Sequence, residues 1–321
     1  MTSTKHSSAS PKKSTNGRLK AIQFGMGALS RIAPEGAAAL AERLFTTPRN
    51  PARPAWELAV LERGRPFVVD VADLEIRAWS FGEGPTVLLV HGWEGRGSQL
   101  GALVAPLVEA GYRVVTFDAP GHGDSDGDRA DLRSFGTAVA EVAWVAGPVH
   151  AVVAHSFGGM AALLAVREGL PLNRLVLVGT AAWGEEAGDH LADAMGVTPD
   201  VIDRMGRRLE RRTGLAWNSI GLAAMSAAVS VSALVIHDRD DKEVPWGNAL
   251  KMAEGLGAPF VRTEGLGHRR ILKDRSVLDR VLGFVRTGET DLPEPPPPPA
   301  APWSVDPWEA FLEGWDAPAL S

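Results

Sequence analysis

The spacing of apolar residues changes along the chain, and each change marks a new element. In residues 18–45, Leu19, Ile22, Met26 and Leu29 form one helical stripe, and Leu40 and Leu44, with several alanines, form another. This spacing predicts two amphipathic helices broken near Pro34 and Gly36, packed onto the main body of the protein rather than onto a membrane surface. A proline-rich connector follows at 47–54. From Pro66 the period drops to two, predicting strands at 67–71 and 74–81, the second ended by the turn Gly82-Glu83-Gly84-Pro85. Residues 86–90 are wholly apolar, as in a strand buried on both faces of a parallel sheet.

Strands and helices then alternate. A loop at 91–97, a helix at 98–110, a strand at 112–117, a loop at 118–131, a helix at 134–146, a strand at 149–154, a helix at 160–166 and a strand at 174–178 come in turn. Such alternation builds an α/β fold, a mostly parallel central sheet with helices on both faces. It pauses after Gly179 and resumes with a strand at 231–237, a helix at 249–255, a strand at 259–263 and a helix at 276–286. The insertion between, about residues 181–229, is predicted helical: Thr198-Pro199 reads as an N-cap and first helical position, and Val201, Met205 and Leu209 share a face. It would form a small helical lid over the carboxyl ends of the strands. Its Trp183, Met195, Trp217 and Met225 are candidate substrate-pocket residues, with ordinary core packing as the competing reading. The organisation expected is a basic disordered start (1–17), an N-terminal helical extension (18–65), an α/β domain (66–287) and a Pro-rich acidic tail (288–321).

One stretch within this pattern concentrates chemical meaning. The β-branched run at 149–154 ends abruptly at His155-Ser156-Phe157-Gly158-Gly159, and a helix-forming run begins at once. A strand that turns so quickly into a helix holds the residue at the turn in a strained conformation. The Ser156 hydroxyl would project above the sheet, and the next backbone N–H would point into the same space. Gly158 and Gly159 suit such a turn, because a Cβ two residues after the serine would collide with the strand it packs against. The usual G-x-S-x-G form of this turn has Ala154 in place of its first glycine.

Composition narrows the field. A net charge of −6, with 45% hydrophobic and 22% charged residues, describes an ordinary globular protein with no electrostatic support for nucleic-acid binding. The mean conceals two unlike ends: residues 1–20 carry five basic groups and no acid, and residues 289–321 carry seven acids and no base. The lack of cysteine excludes disulfides, thiolate chemistry and cysteine metal sites. Residues 142–166 form a run of 25 positions without Asp, Glu, Lys or Arg, long enough to raise a membrane question. Gly147-Pro148, His150, His155 and Ser156 argue against a span, and a buried strand and helix explain the run. Residues 21–30, with Gln23, Gly25, Gly27 and Ser30, make a poor signal-peptide core. The expectation is a soluble, cytoplasmic protein. In the tail, Pro295 to Pro299 precede Trp303, Trp308 and Trp315; aromatics are favoured as binding anchors, so docking in cis or on a protein partner is expected, with a disordered tail of incidental tryptophans as the competing reading.

A serine hydroxyl needs a base for its proton, a group to orient that base and donors for the developing oxyanion. Each should follow a strand, because loops at the carboxyl ends of parallel strands converge on one crevice. Of eight histidines, His268 in Gly265-Leu266-Gly267-His268 follows the final strand and is the expected base. His155 adjoins the serine but should point away from it. The orienting acid should follow the strand 231–237, where Asp238, Asp240 and Asp241 all stand. Asp241 is the candidate; Asp238 and Asp240 read as loop-capping or solvated carboxylates. The backbone N–H groups of Phe157 and of Trp93, in His91-Gly92-Trp93, are the candidate oxyanion donors. No metal or cofactor is required.

His91-Gly92-Trp93, the loop from Asp118 to Ser125, His155-Ser156-Phe157-Gly158-Gly159, Asp241 to Pro245 and Gly267-His268 occur in an order and spacing that resemble the α/β-hydrolase superfamily over about residues 66–287. The resemblance implies the α/β-hydrolase fold with Ser156 as nucleophile, Asp241 as acid and His268 as base, and it implies that His122 shapes a loop rather than reacting. A serine at the turn argues against the dehalogenase and epoxide-hydrolase branches, which use Asp there. The activity implied is carboxylic ester hydrolysis through an acyl-enzyme on Ser156, on a small-molecule ester or thioester. Thioesterase, acyltransferase and carbon–carbon hydrolase chemistry share the triad. A non-catalytic ligand-binding protein of the same fold is the alternative from another class.

Overall fold

The computed structural model describes residues 15–180, 187–227 and 229–289. Trp183, Trp303, Trp308 and Trp315 lie outside the described residues, as do the docking expected of the tail and most of the basic start.

Eight strands form one sheet among the described residues: β1 Arg65–Val71, β2 Leu74–Phe81, β3 Thr86–Val90, β4 Arg113–Phe117, β5 Val149–His155, β6 Leu172–Val178, β7 Ser232–Asp238 and β8 Phe260–Thr263. Their order is β1-β2-β4-β3-β5-β6-β7-β8, antiparallel at β1-β2-β4 and parallel from β4 to β8. Val71 pairs with Leu74 across a two-residue turn in which Ala72 and Asp73 both have positive φ, the geometry whose twist matches a hairpin. From β3 the chain crosses one way to β4 and then back to β5 on the other side. The crevice above the ends of β3 and β5 is therefore a topological switch point, the place where α/β sheets bind ligands.

Twelve helices accompany the sheet: α1 Thr15–Ile32, α2 Pro34–Thr46, α3 Ala55–Leu61, α4 Val104–Glu109, α5 Leu132–Ala146, α6 Phe157–Arg167, α7 Ala187–Met195, α8 Pro199–Thr213, α9 Leu222–Ala227, α10 Trp246–Leu256, α11 Gly267–Arg270 and α12 Arg275–Thr287, counted among the described residues. The alternating strands give each face of the sheet its own apolar layer. Leu88, Val152 and Leu177 meet Phe135, Val139, Met160, Leu163 and Leu164 of α5 and α6 on one face. Val87, Val153 and Ile236 meet Leu107, Val281 and Phe284 of α4 and α12 on the other. Each such buried side chain contributes about 1.5–3 kcal/mol of transfer free energy. Asp131 starts α5 with a reciprocal capping pair to Ser134.

Three local outcomes depart from the sequence pattern. The helix expected at 98–110 begins as a 3-10 turn over Gly97–Leu103 before α4. Gly97 lies so close to β4 that a Cβ there would stand 2.5 Å from Thr116 Oγ1, so this segment is wound tightly along the sheet end. Helix α3, inside the segment left unassigned after the connector, buries Glu57. Thr198 occupies the N-cap position of α8 without a side-chain cap, leaving Pro199 at the first turn as the starting signal.

The N-terminal helices reach the body through its insertion. Met26, Ala37, Ala38 and Ala41 of α1 and α2 pack with Leu191, Val201, Ile202, Met205 and Leu209 of α7 and α8. Glu42, nearly buried, accepts from Arg208 at 2.7 Å and Arg212 at 2.8 Å across the same seam. Met195 belongs to this cluster and Met225 to the sheet core under α6, so both take the core-packing alternative to a pocket role. No helix among the described residues is long and apolar enough to cross a membrane.

Candidate active site

Strand β5 is central and buried, and it ends against α6 with one residue between them. That residue, Ser156, has φ 54° and ψ −127°, a conformation that costs a side-chain-bearing residue roughly 1–3 kcal/mol. Its N–H donates to Val178 O of β6 at 3.0 Å, and its carbonyl accepts from Gly159 N at 2.9 Å, so both sides of the turn are pinned. The glycines are steric necessities. A Cβ on Gly158 would stand 2.1 Å from His91 O, at the end of β3, and one on Gly159 would stand 2.2 Å from Thr180 Oγ1.

Ser156 Oγ donates to His268 Nε2 at 2.9 Å, and His268 Nδ1 donates to Asp241 Oδ2 at 2.7 Å. The structure thus joins three residues from the ends of β5, β7 and β8 into one hydrogen-bonded chain. Asp241 Oδ1 accepts from Glu243 N and Val244 N at 2.8 and 2.9 Å. Burial pushes the Asp241 carboxyl up, but the bond and charge of His268, the nearby His237 and the Val244 N–H together hold it below its ordinary value.

The two neighbouring carboxylates cap the loop that carries His268. Asp238, fully buried, accepts from Asp240 N, Thr263 Oγ1, Leu266 N and Gly267 N at 2.7–3.1 Å. Asp240 accepts from Gly265 N at 2.8 Å. Gly265 and Gly267 have φ of 75° and 66°, which lets consecutive amides turn toward these acids. Sequence reasoning named the carboxylates and missed their joint target.

The other histidines have settled duties. His155 donates from Nε2 to His268 O at 2.9 Å, its ring 4.6 Å from the His268 ring; burial, with His268 beside it, lowers it to about 3. His91 donates to Gly92 O at 2.7 Å and accepts from Ala119 N at 2.9 Å, held neutral by burial and by His122. His237, which sequence reasoning missed, donates to Val244 O at 3.1 Å and lies 3.5 Å from Asp241 Oδ2. Its signal was its position four residues before Asp241 at the end of β7. Burial lowers its pKa, against the Asp241 carboxylate and the Val244 carbonyl, which raise it. Arg269 is offset by Glu243, Nε to Oε1 3.1 Å, and Arg270 donates to Gly265 O at 2.6 Å.

Across the crevice, Gly92 abuts the serine: a Cβ there would stand 2.7 Å from Ser156 Cβ and 3.3 Å from Oγ. The rings of Trp93 and Phe157 meet edge to face at 5.6 Å, which brings the two candidate donor residues together. Neighbouring amides are occupied: Glu94 N donates to His122 Nε2 and Gly95 N to Gly92 O, both at 3.0 Å. Among the described residues, neither the Trp93 nor the Phe157 N–H carries a hydrogen bond. Nothing is described of the Trp217 side chain, and no group of metal-binding side chains occurs among the described residues.

The serine aminopeptidase S33 family model matches residues 84–215, a span that includes Ser156 and ends before Asp241 and His268. A protein of Rhizobium rhizogenes described as the carbamate hydrolase RutD is 24% identical over 249 residues, covering 63% of this chain and 92% of that protein. A pimeloyl-[acyl-carrier protein] methyl ester esterase of Aromatoleum aromaticum is 39% identical over 98 residues, covering 30% of this chain and 37% of that enzyme. Among solved structures, an esterase of Pyrococcus furiosus aligns with a TM-score of 0.57 at 15% identity, over 75% of this chain and 96% of that one.

Proposed function

We infer, from a chain that belongs to the α/β-hydrolase superfamily, that this hydrolase cleaves carboxylic esters through an acyl-enzyme on Ser156. The observation that carries the reading is the unbroken chain from Ser156 Oγ through His268 to Asp241, with bonds of 2.9 and 2.7 Å. His268 Nε2 takes the serine proton as Oγ attacks the ester carbonyl, and the Asp241 carboxylate holds the ring and stabilises the imidazolium. The carbonyl oxygen becomes an oxyanion between the Trp93 and Phe157 N–H groups, each such donor being worth ~2.7–4 kcal/mol. His268 returns the proton to the departing alcohol, then activates a water that releases the acid.

The strain at Ser156 supports the same role, because it is stored where the nucleophile must stand clear of the strand. The methyl ester esterase relative, matched over 98 residues, supports an ester substrate. The test is turnover of p-nitrophenyl esters and matched thioesters of increasing acyl length by the wild type and Ser156→Ala. Turnover in the wild type that vanishes in the variant supports the reading; equal turnover in both rejects it.

A further inference from the structure

The segment before the sheet does more than connect. Arg49 grips Glu94 with a bidentate fork: Nε donates to Oε1 and Oε2, each at 2.8 Å, Nη2 donates to Oε2, and the backbone N–H adds Oε1 at 3.2 Å. Glu94 follows Trp93 directly and has φ 54°, a conformation that a residue with a side chain holds only where its surroundings enforce it. Three restraints meet on it: the Arg49 fork on its side chain, the bond from its N–H to His122 Nε2, and the bond of Gly95 N to Gly92 O that closes the turn. Around this point Asn50 and Gly123 exchange two hydrogen bonds of 2.6 and 3.0 Å. Arg53 binds Asp118, Asp124 and Ser98. Arg96 is held by Glu57 and by Pro51 O.

The loop that presents Trp93 N–H is therefore tied down from a stretch at 49–57 lying outside the strands of the sheet. An oxyanion donor must sit within about 3 Å of the place where charge develops. Gly92 has no side chain to lock the loop, and none would fit against Ser156. We propose that Arg49 is a positioning residue for the oxyanion site: its fork on Glu94 fixes the turn that aims the Trp93 N–H. This rests on the serine-hydrolase reading above.

The test uses the full-length chain, p-nitrophenyl ester kinetics and a phenylboronic acid, which forms a tetrahedral adduct on a serine and so probes the same donors as the transition state. Arg49→Met keeps the stem and removes the fork. It should lower kcat by about 10-fold or more and weaken boronate inhibition by a similar factor, with KM within about 2-fold. Arg49→Lys, a single charge without the fork, should recover part of both. Arg49→Met/Glu94→Gln should be no slower than Arg49→Met alone, because the two side chains act as one unit. Melting temperature is read on every variant. Loss of kcat that follows thermal stability with boronate affinity unchanged, or a double variant slower by independent factors, would overturn the proposal. A wild type that turns over esters and binds boronate, matched in both by Arg49→Met, would reject the positioning role alone. A wild type that does neither would reject the serine-hydrolase reading beneath it.

Discussion

The two sides of Ser156 are held by opposite means. On the acid–base side, Asp238, Asp240 and Asp241 at the end of β7 gather amides and His268 from a loop less than thirty residues away. On the oxyanion side, ion pairs reach 39 to 65 residues along the chain, from Arg49, Arg53 and Glu57 to Glu94, Asp118 and Arg96, and hold the loops after β3 and β4. The difference follows from what each side must fix. A histidine ring is oriented by one strong acceptor, and its loop needs only caps. A backbone N–H cannot itself be gripped, so the loop that carries the candidate donor Trp93 has to be held through its neighbours, while the other candidate, Phe157, is fixed at the start of α6.

Variants should expose that contrast. Asp241→Asn removes the acceptor that sets the His268 tautomer and should lower kcat/KM by about 10⁴-fold with little change in melting temperature, checked by steady-state kinetics and calorimetry. Gly92→Ala drives a methyl against Ser156 Cβ on the opposite side. A misplacement of that order costs roughly 100-fold in kcat. Asp238→Asn should invert this balance. An amide NH₂ in place of one carboxylate oxygen faces either the Leu266 N–H, on Oδ2, or the Gly267 N–H, on Oδ1, and leaves a buried donor unpaired, so unfolding in urea should show a loss of about 1–3 kcal/mol, with a smaller loss of turnover than at Asp241.

Acid should weaken the oxyanion side. His122 accepts from Glu94 N as a neutral ring, and burial lowers it from 6.5 to about 4. Between those values the unfolded chain takes up a proton that the folded chain does not, so stability falls as pH drops from about 6.5 toward 4 and this contribution is then exhausted. At full span it amounts to ~3 kcal/mol. His122→Asn should flatten the urea-unfolding free energy across that interval.

The candidate residues of both sides were legible in the sequence, and the contacts that hold them were not. Ser156 was readable because strand, turn and helix are adjacent in the chain, and the collisions that demand Gly158 and Gly159 involve residues just past the ends of the neighbouring strands, His91 after β3 and Thr180 after β6. His268 and Asp241 were readable because they follow strands whose apolar runs are plain. The amide cluster at Asp238 was hidden, since it depends on the positive φ of Gly265 and Gly267 and not on residue type alone. The Arg49–Glu94 fork was hidden more deeply. Its partners belong to an irregular connector and a loop with no periodicity, and only packing brings them together. Met195 and Met225 followed the same logic: apolar residues in an insertion look alike whether they line a crevice or fill a core.

The central claim is that Ser156 is a nucleophile activated by His268. Labelling with a fluorophosphonate, followed by peptide mapping, tests it most directly, because the reagent needs the activated hydroxyl and no knowledge of the substrate. One label per chain, on Ser156, absent from Ser156→Ala and strongly slowed in His268→Ala, is the expected result. A label on another residue, or one that forms as fast on His268→Ala as on the wild type, would contradict it.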